Sequence, residues 1–201
     1  MSASGERSTQ RDKMIEPEIS TIAASPNLRF GDFEPDAPRS REPSSPGTGS
    51  QGRLISGVTA GELAVHADSR GSLSELLTTR DGPIEPIVHV YQVTAEAGSI
   101  RAWVYHRWQY DRLAFTNGRF RIALYDIRPD SPTVNMLNVF VLGRERPGLL
   151  RLPPYVIHGV QNVGNEVAMF INMPTKAYDP GEPDKCRLPA GDIRIPFNFD
   201  E

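Results

Sequence analysis

Short apolar runs fill the chain after Leu54, and they constrain its fold more than any other feature. Gly, Pro, Asn or Asp interrupts them about every eight to twelve residues, a spacing typical of an all-β barrel or sandwich. Helical periodicity is almost absent. The predicted strands are Gly61–Val65, Leu73–Leu77, Ile87–Thr94, Ile100–His106, Arg112–Thr116, Arg119–Asp126, Leu137–Leu142, Gly148–Leu152, His158–Val163 and Glu166–Asn172.

The dipeptide Asn117-Gly118 gives the strongest turn signal in the chain. It separates two apolar runs, and both of its residues tolerate the positive φ that the central residues of a tight hairpin turn require. We therefore predict that the strands on either side of it pair as a β-hairpin.

The first 53 residues have a different composition, rich in Ser, Pro, Gly and charged side chains. Little apolar surface is available there to offset the entropy lost on ordering. We predict a disordered N-terminal tail over residues 1–53 and a single folded domain over residues 54–201.

Charge and cysteine usage limit the partners and the compartment. The formal net charge is only −3 and no run of Lys or Arg occurs, so we expect neither nucleic acid nor a membrane as partner. Cys186 is the only cysteine and cannot form an intramolecular disulfide. The first ten residues are polar, unlike a secretory signal, so we predict a cytoplasmic protein.

Two segments resemble the paired signatures of the cupin superfamily. The first runs from Gly98 to Gly118 and contains His106 followed by Asp111. The second, Leu152-Pro-Pro-Tyr-Val-Ile-His158-Gly-Val-Gln-Asn162, supplies a Pro, a His and an Asn at the expected spacing. The resemblance implies a double-stranded β-helix, the cupin jelly-roll barrel.

Within the cupins, the chain from about Leu54 to Phe199 resembles the dTDP-4-dehydrorhamnose 3,5-epimerase family. The segments that carry this resemblance are Asp68-Ser-Arg-Gly-Ser-Leu-Ser-Glu75, Tyr125-Asp-Ile-Arg-Pro-Asp-Ser-Pro-Thr133, His158-Gly159 and Pro174-Thr-Lys-Ala-Tyr-Asp-Pro180. It implies an enzyme without a cofactor that epimerises a nucleotide-linked 4-keto-6-deoxyhexose at C3, or at C3 and C5. It also implies a homodimer that exchanges N-terminal strands.

The family's chemistry assigns roles to particular residues. A 4-keto group acidifies the neighbouring C–H bonds, so a base removes a proton from one face of the ring and an acid returns one to the other. The resemblance places His106 as the base, Tyr178 as the acid and Arg112 near the developing oxyanion. The implied substrate-binding residues are Arg70, Glu75, Gln92, Arg101, Arg128 and His158.

The match departs from the family pattern at five points. Arg112 stands where the family has a Lys near the enolate oxygen, and Tyr155 stands where the pattern has a Gly. Direct alignment of the first motif puts Val104 at the family's His, and a two-residue slip is needed to reach His106. Leu73 stands where the family has an aromatic residue, and no Asp can be assigned to the family's His-orienting position.

These departures leave two alternatives open. One is an inactive or altered sugar-binding cupin. The other is a metal-dependent enzyme with His106, Asp111 and His158 as ligands, a donor set that suits non-haem iron and related cations. Arg128 also has a structural alternative, because it could pair with Asp126 or Asp130 and hold its own loop.

Overall fold

The computed structural model describes residues 53–199, and nearly all of their regular structure is β-strand. The predicted tail over residues 1–53 therefore lies outside the described residues, apart from Arg53. A short 3-10 helix spans Thr79–Asp81. The strands are β1 (Thr59–Glu62), β2 (Val65–Asp68), β3 (Gly71–Ser74), β4 (Tyr91–Ala95), β5 (Ile100–His106), β6 (Asp111–Phe115), β7 (Arg119–Asp126), β8 (Leu137–Gly143), β9 (Gly148–Leu152), β10 (Val156–Asn162), β11 (Ala168–Asn172) and β12 (Lys185–Arg187).

Two five-stranded antiparallel sheets contain ten of these strands. The first sheet has the order β1-β9-β6-β11-β4, and the second has the order β12-β5-β10-β7-β8. Strands β2 and β3 form a separate two-stranded hairpin. The predicted all-β jelly-roll class is confirmed. Within residues 53–199, no helix has the length and apolar character needed to cross a membrane.

Aromatic side chains from both sheets meet in the main core. Phe115 on β6 and Phe170 on β11 come from the first sheet, and Phe120 on β7 comes from the second. The Phe120 ring centroid lies 5.3 Å from that of Phe115 and 5.6 Å from that of Phe170. Since alternate residues of a strand face opposite sides, Ile122 joins this core whereas Ala123 faces outward.

A second apolar cluster covers the outer face of the second sheet. Trp103 on β5 packs against Phe199, with ring centroids 5.0 Å apart, and its indole N–H donates a hydrogen bond to the Ala190 carbonyl at 3.0 Å. Ile195 is also buried in this cluster. The C-terminal segment therefore closes the outside of the barrel.

Strand prediction succeeded best in the middle of the chain. The bounds of β5, β7 and β9 agree with the predicted ones at both ends. The predicted strand Gly61–Val65 was wrong, because it spans the end of β1 and the start of β2. Residues 87–90 are not in a strand, and the three-residue β12 was missed.

The predicted hairpin at Asn117-Gly118 was also wrong. Strand β6 pairs with β9 and β11 in the first sheet, whereas β7 pairs with β8 and β10 in the second. The dipeptide therefore carries the chain from one sheet to the other. Gly118 has φ 65°, a left-handed conformation that glycine adopts without steric cost.

We expect Gly118→Ala to destabilise the protein more than Gly98→Ala. Both glycines have positive φ, so each alanine costs about 1–2 kcal/mol in backbone strain. An added Cβ at Gly118 would also lie 2.2 Å from the Ala168 Cβ, whereas at Gly98 no atom lies within 4 Å. This overpacking should lower the free energy of unfolding by about 1–3 kcal/mol more. Urea denaturation measures the difference, and equal losses in both variants would contradict it.

Candidate active site

Several titratable side chains come together at one end of the barrel. The C-terminal end of β5 meets the N-terminal ends of β4, β6 and β12 there, beside a cavity of about 460 Å³. The lining residues are His89, Tyr91, His106, Trp108, Gln109, Pro174, Lys176, Ala177, Tyr178, Asp179, Glu182, Pro183, Asp184, Lys185 and Arg187.

His106 lies between two carboxylates at the inner wall of this cavity. Its Nε2 is 3.3 Å from Asp111 Oδ2, and its Nδ1 is 3.4 Å from Asp184 Oδ2. Neither nitrogen makes an aligned hydrogen bond with a described residue. His106 lines the cavity whereas Val104, two residues earlier, does not. The cavity therefore contains the imidazole of the residue that the two-residue slip in the motif selected, His106.

Asp111 is buried and held by side chains from its surroundings. Its Oδ1 accepts hydrogen bonds from Gln109 Nε2 at 2.8 Å and Asn172 Nδ2 at 3.1 Å, and its Oδ2 lies 3.5 Å from His158 Nε2. Burial alone would raise the pKa of Asp111, but the contacts with His106 and Asn172 outweigh it and hold the pKa well below its usual range. Asp111 is therefore ionised near pH 7.

His158 lies behind His106, with the two rings stacked and their centroids 6.1 Å apart. Burial lowers the pKa of His158 to about 4, although the charge of Asp111 opposes this shift. His158 Nδ1 lies 3.2 Å from the Val156 carbonyl oxygen. We conclude that His158 is neutral near pH 7 and cannot balance the charge of Asp111.

Asp184 was not predicted from the sequence. It lies just before β12, and its carboxylate accepts the backbone N–H groups of Arg107, Trp108 and Gln109 at 2.8, 3.0 and 3.2 Å. These three bonds fix its position against His106 Nδ1. The only sequence signal would have been the pairing of β12 with β5, and a three-residue strand gives no readable pattern.

Tyr178 lines the same cavity as His106, from the segment that leads to β12. The residue is 63% exposed, so its phenol is accessible to solvent. Trp108 is also exposed there, with the Arg107 guanidinium 4.3 Å from its ring centroid. A second phenol, Tyr91, lies deeper and accepts a hydrogen bond from Asn172 Nδ2 at 2.8 Å.

Arg112 does not reach this cavity. Its side chain is 2% exposed, and its guanidinium donates hydrogen bonds to the carbonyls of Glu85, Pro86 and Met173 at 2.9, 3.1 and 2.7 Å. These contacts hold the segment before β4 against the sheet. They do not support the predicted contact between Arg112 and a reacting oxyanion.

The other predicted binding residues are likewise outside the cavity lining of their own chain. Arg70 pairs with Asp68 in the exposed β2–β3 hairpin, and Glu75 pairs with Arg80. Gln92 is exposed on β4, and Arg101 donates to the Thr94 carbonyl at 2.9 Å. His158 alone among them is close to His106.

Arg128 pairs with Asp126 and holds its own loop, as the structural alternative proposed for it. Its Nε and Nη2 donate to the two oxygens of Asp126 at 2.7 and 2.9 Å, and its Nη2 also donates to the Ser56 carbonyl at 2.7 Å. Ser131 and Thr133 complete the hydrogen bonding of Asp126. This closed network holds the loop after β7.

The three residues of the metal-site alternative lie close enough together to hold a cation. His106, Asp111 and His158 are buried, and one ligand atom from each lies within 4.8 Å of the others. Two imidazoles and a carboxylate are a known ligand set for divalent metals. Gln109 and Asn172 donate hydrogen bonds to Asp111 Oδ1, and Oδ2 of the same carboxylate faces the two imidazoles.

The depressed pKa of His158 predicts how stability changes with pH. Unfolded chains bind a proton at an ordinary His near pH 6.5, whereas folded His158 does so only near pH 4. Protons therefore favour unfolding in this window, and the free energy of unfolding should fall as pH drops from about 6.5 to 4, by up to about 3 kcal/mol. Urea denaturation at several pH values measures this fall, and His158→Gln should flatten it. An equally steep fall in the variant would contradict the assignment.

The chain is similar to known proteins over most of its described length. It is 34% identical over 146 residues to the spore coat polysaccharide biosynthesis protein SpsL of Bacillus subtilis, a match that covers 73% of this chain and 97% of that protein. It is 36% identical over 138 residues to a probable low-salt glycan biosynthesis epimerase of Haloferax volcanii, covering 67% of this chain and 88% of that one.

A solved structure shows the same fold. The dTDP sugar isomerase from Desulfovibrio desulfuricans G20 superposes with a TM-score of 0.68 at 26% identity, covering 73% of this chain and 92% of that one. The family model described as dTDP-4-dehydrorhamnose 3,5-epimerase matches residues 53–200. The predicted resemblance is confirmed: this chain belongs to the dTDP-4-dehydrorhamnose 3,5-epimerase family.

Proposed function

We propose that the protein epimerises a dTDP-linked 4-keto-6-deoxyhexose at C3, or at C3 and C5, with His106 as the base and Tyr178 as the acid. The observation that carries this proposal is the position of His106, between two carboxylates and in the same cavity as Tyr178, in a member of this epimerase family.

The surroundings of His106 suit a group that removes a proton. When the imidazole takes a proton from carbon it becomes a cation, and the carboxylates of Asp111 and Asp184 then face the new charge at 3.3 and 3.4 Å. Fixed charges aimed at a charge that develops during reaction lower its barrier. The substrate's own ketone acidifies the C–H bond, so the proposed proton transfers need no cofactor.

Tyr178 supports the second half of the reaction. A phenol exposed to the open cavity can donate its proton to the carbon from the face opposite the base. Trp108 at the cavity wall offers an aromatic surface on which the sugar or the nucleotide base could stack.

We also propose that the protein is a homodimer, as the family resemblance implies. Apolar side chains of Leu73, Ile87, Val88 and Val90 are exposed near the β2–β3 hairpin and along the segment leading to edge strand β4. An exposed apolar surface of this kind suits contact with a second copy. Exchange of these N-terminal elements would carry Arg70 and Glu75 toward the partner.

The cytoplasmic location also remains a prediction.

Incubation with dTDP-4-keto-6-deoxyglucose in deuterated water tests the assignment. We expect NMR to show deuterium at C3, or at C3 and C5, and inverted configuration at the exchanged carbon. His106→Asn should slow exchange by about 100-fold or more, since general base catalysis contributes about that much. Tyr178→Phe should still exchange deuterium but lose inversion, because only the acid on the opposite face is missing.

Tyr125→Phe is a matched control, since that phenol contacts Asn135 outside the cavity. It should behave as the wild type does. Binding of the nucleotide sugar without any exchange by the wild-type protein would instead identify a non-catalytic sugar-binding protein.

Asp184→Asn tests whether Asp184 positions the base. The amide keeps one oxygen for backbone N–H groups but removes the negative charge beside His106 Nδ1. We expect kcat to fall by about 10-fold to 1,000-fold with little change in KM, since a buried carboxylate that orients a catalytic His acts mainly in the transition state. Asp192→Asn, at an ion pair in the C-terminal segment, is the matched control. A raised KM with unchanged kcat would contradict a positioning role.

A further inference from the structure

The proposed reaction creates a negative charge on a substrate oxygen, and none of the residues predicted from the sequence is positioned to stabilise it. Removal of a proton beside the ketone turns the C4 carbonyl oxygen into an enolate oxygen. Such oxygens are stabilised by a cation or by hydrogen-bond donors already in position. Arg112 was predicted for this task, but its guanidinium is occupied by three backbone carbonyls outside the cavity.

Lys185 is a cation that the fold brings to the base. Strand β12 pairs antiparallel with β5, and Lys185 lies directly opposite His106 in the register. Directly opposed residues of an antiparallel pair project their side chains to the same face. Both side chains accordingly line the cavity. The next pair along the strands is Cys186 with Tyr105, and neither of these residues lines the cavity.

The Lys185 ammonium has no fixed partner. Among residues 53–199 no side chain or backbone group forms a hydrogen bond or an ion pair with it, although its side chain is half-buried. Burial lowers the pKa of Lys185, the charge of Asp111 opposes this, and Arg187 and Arg101 lower it further. The ammonium of this partly buried side chain is thus available to an anionic oxygen bound in the cavity.

The other cations of the cavity wall are less suited to this role. Lys176 is exposed, and its ammonium lies 5.6 Å from the Trp108 ring centroid, toward solvent. Arg187 is exposed and pairs with Val104, two residues along β5 from the base. Among the described lysines, only Lys185 combines partial burial with a position opposite His106.

We propose that Lys185 is a catalytic residue that binds the C4 oxygen of the substrate and stabilises the enolate. This inference rests on the proposed function. As His106 takes the proton, the C–H electron pair forms the carbon–carbon double bond, and the carbonyl π pair moves to oxygen. Lys185 donates a hydrogen bond to that oxygen and keeps its proton. When the acid protonates the carbon, both electron pairs return, and no redox partner is needed.

Deuterium exchange into dTDP-4-keto-6-deoxyglucose by Lys185 variants tests this role. Lys185→Met keeps the length of the side chain and removes the charge. We expect its exchange rate to fall by about 100-fold or more, as when one oxyanion donor is removed, while the dissociation constant of dTDP changes less than about threefold. Arg144→Met is the control, because Arg144 is an exposed cation just beyond β8, at the opposite end of the barrel.

The remaining variants and outcomes separate the two proposals. Lys185→Arg keeps a cation and should exchange faster than Lys185→Gln, which tests the charge even if the methionine variant fails to fold. Equal rates for the arginine and glutamine variants, or full exchange by Lys185→Met, would overturn the role of Lys185 alone. No exchange by the wild-type protein would overturn the proposed epimerase function, and the role of Lys185 with it.

Discussion

The buried carboxylate of Asp111 is the constraint on which the rest of this site depends. A carboxylate removed from water must be met by hydrogen-bond donors or positive charge, or it would take up a proton. Here the donors come from Gln109 in the preceding loop and Asn172 at the end of β11, and the imidazoles of His106 and His158 approach its other oxygen. One side chain therefore contacts strands of both sheets at the end where the cavity opens.

Strand β12 completes what Asp111 begins. It adds to the edge of the second sheet beside β5, and this short pairing brings Asp184 and Lys185 to His106. Three backbone N–H groups of the loop after β5 donate hydrogen bonds to Asp184. The same carboxylate therefore holds this loop and lies beside the base, His106. The site is thus assembled from segments about 80 residues apart, and its precision comes from backbone pairing.

The limits of sequence reasoning follow the distinction between local and distant contacts. The pair Arg128 and Asp126 is two residues apart and was foreseen as an alternative. The bounds of β5 and β7 were foreseen because alternation along a strand is a local pattern. The hairpin at Asn117-Gly118 failed because a turn signal states that the chain bends, not which strand lies beside it. Asp184 and Lys185 were missed because their role depends on where β12 docks.

His106 and Asp111 could be proposed from the sequence because motif spacing is preserved even where one position has changed. The same reasoning from motif position was misleading for Arg112. Its position in the motif suggested a cation near the substrate, but the side chain of the residue after Asp111 points to the other side of strand β6. A motif assigns a residue to a place in the chain, and the alternation of the strand decides which side of the sheet its side chain occupies.

The arrangement of charge in the cavity matches the two opposite charges that a proton transfer from carbon creates. The carboxylates of Asp111 and Asp184 flank His106, where a cation forms, while neutral His158 adds no competing positive charge behind it. Lys185, on the neighbouring strand, lines the same cavity, and in the proposed reaction its ammonium meets the substrate oxygen as that oxygen becomes an anion. Because hydrogen bonds hold the carboxylates of Asp111 and Asp184 before substrate arrives, little reorganisation of these groups is needed as the charge on His106 develops.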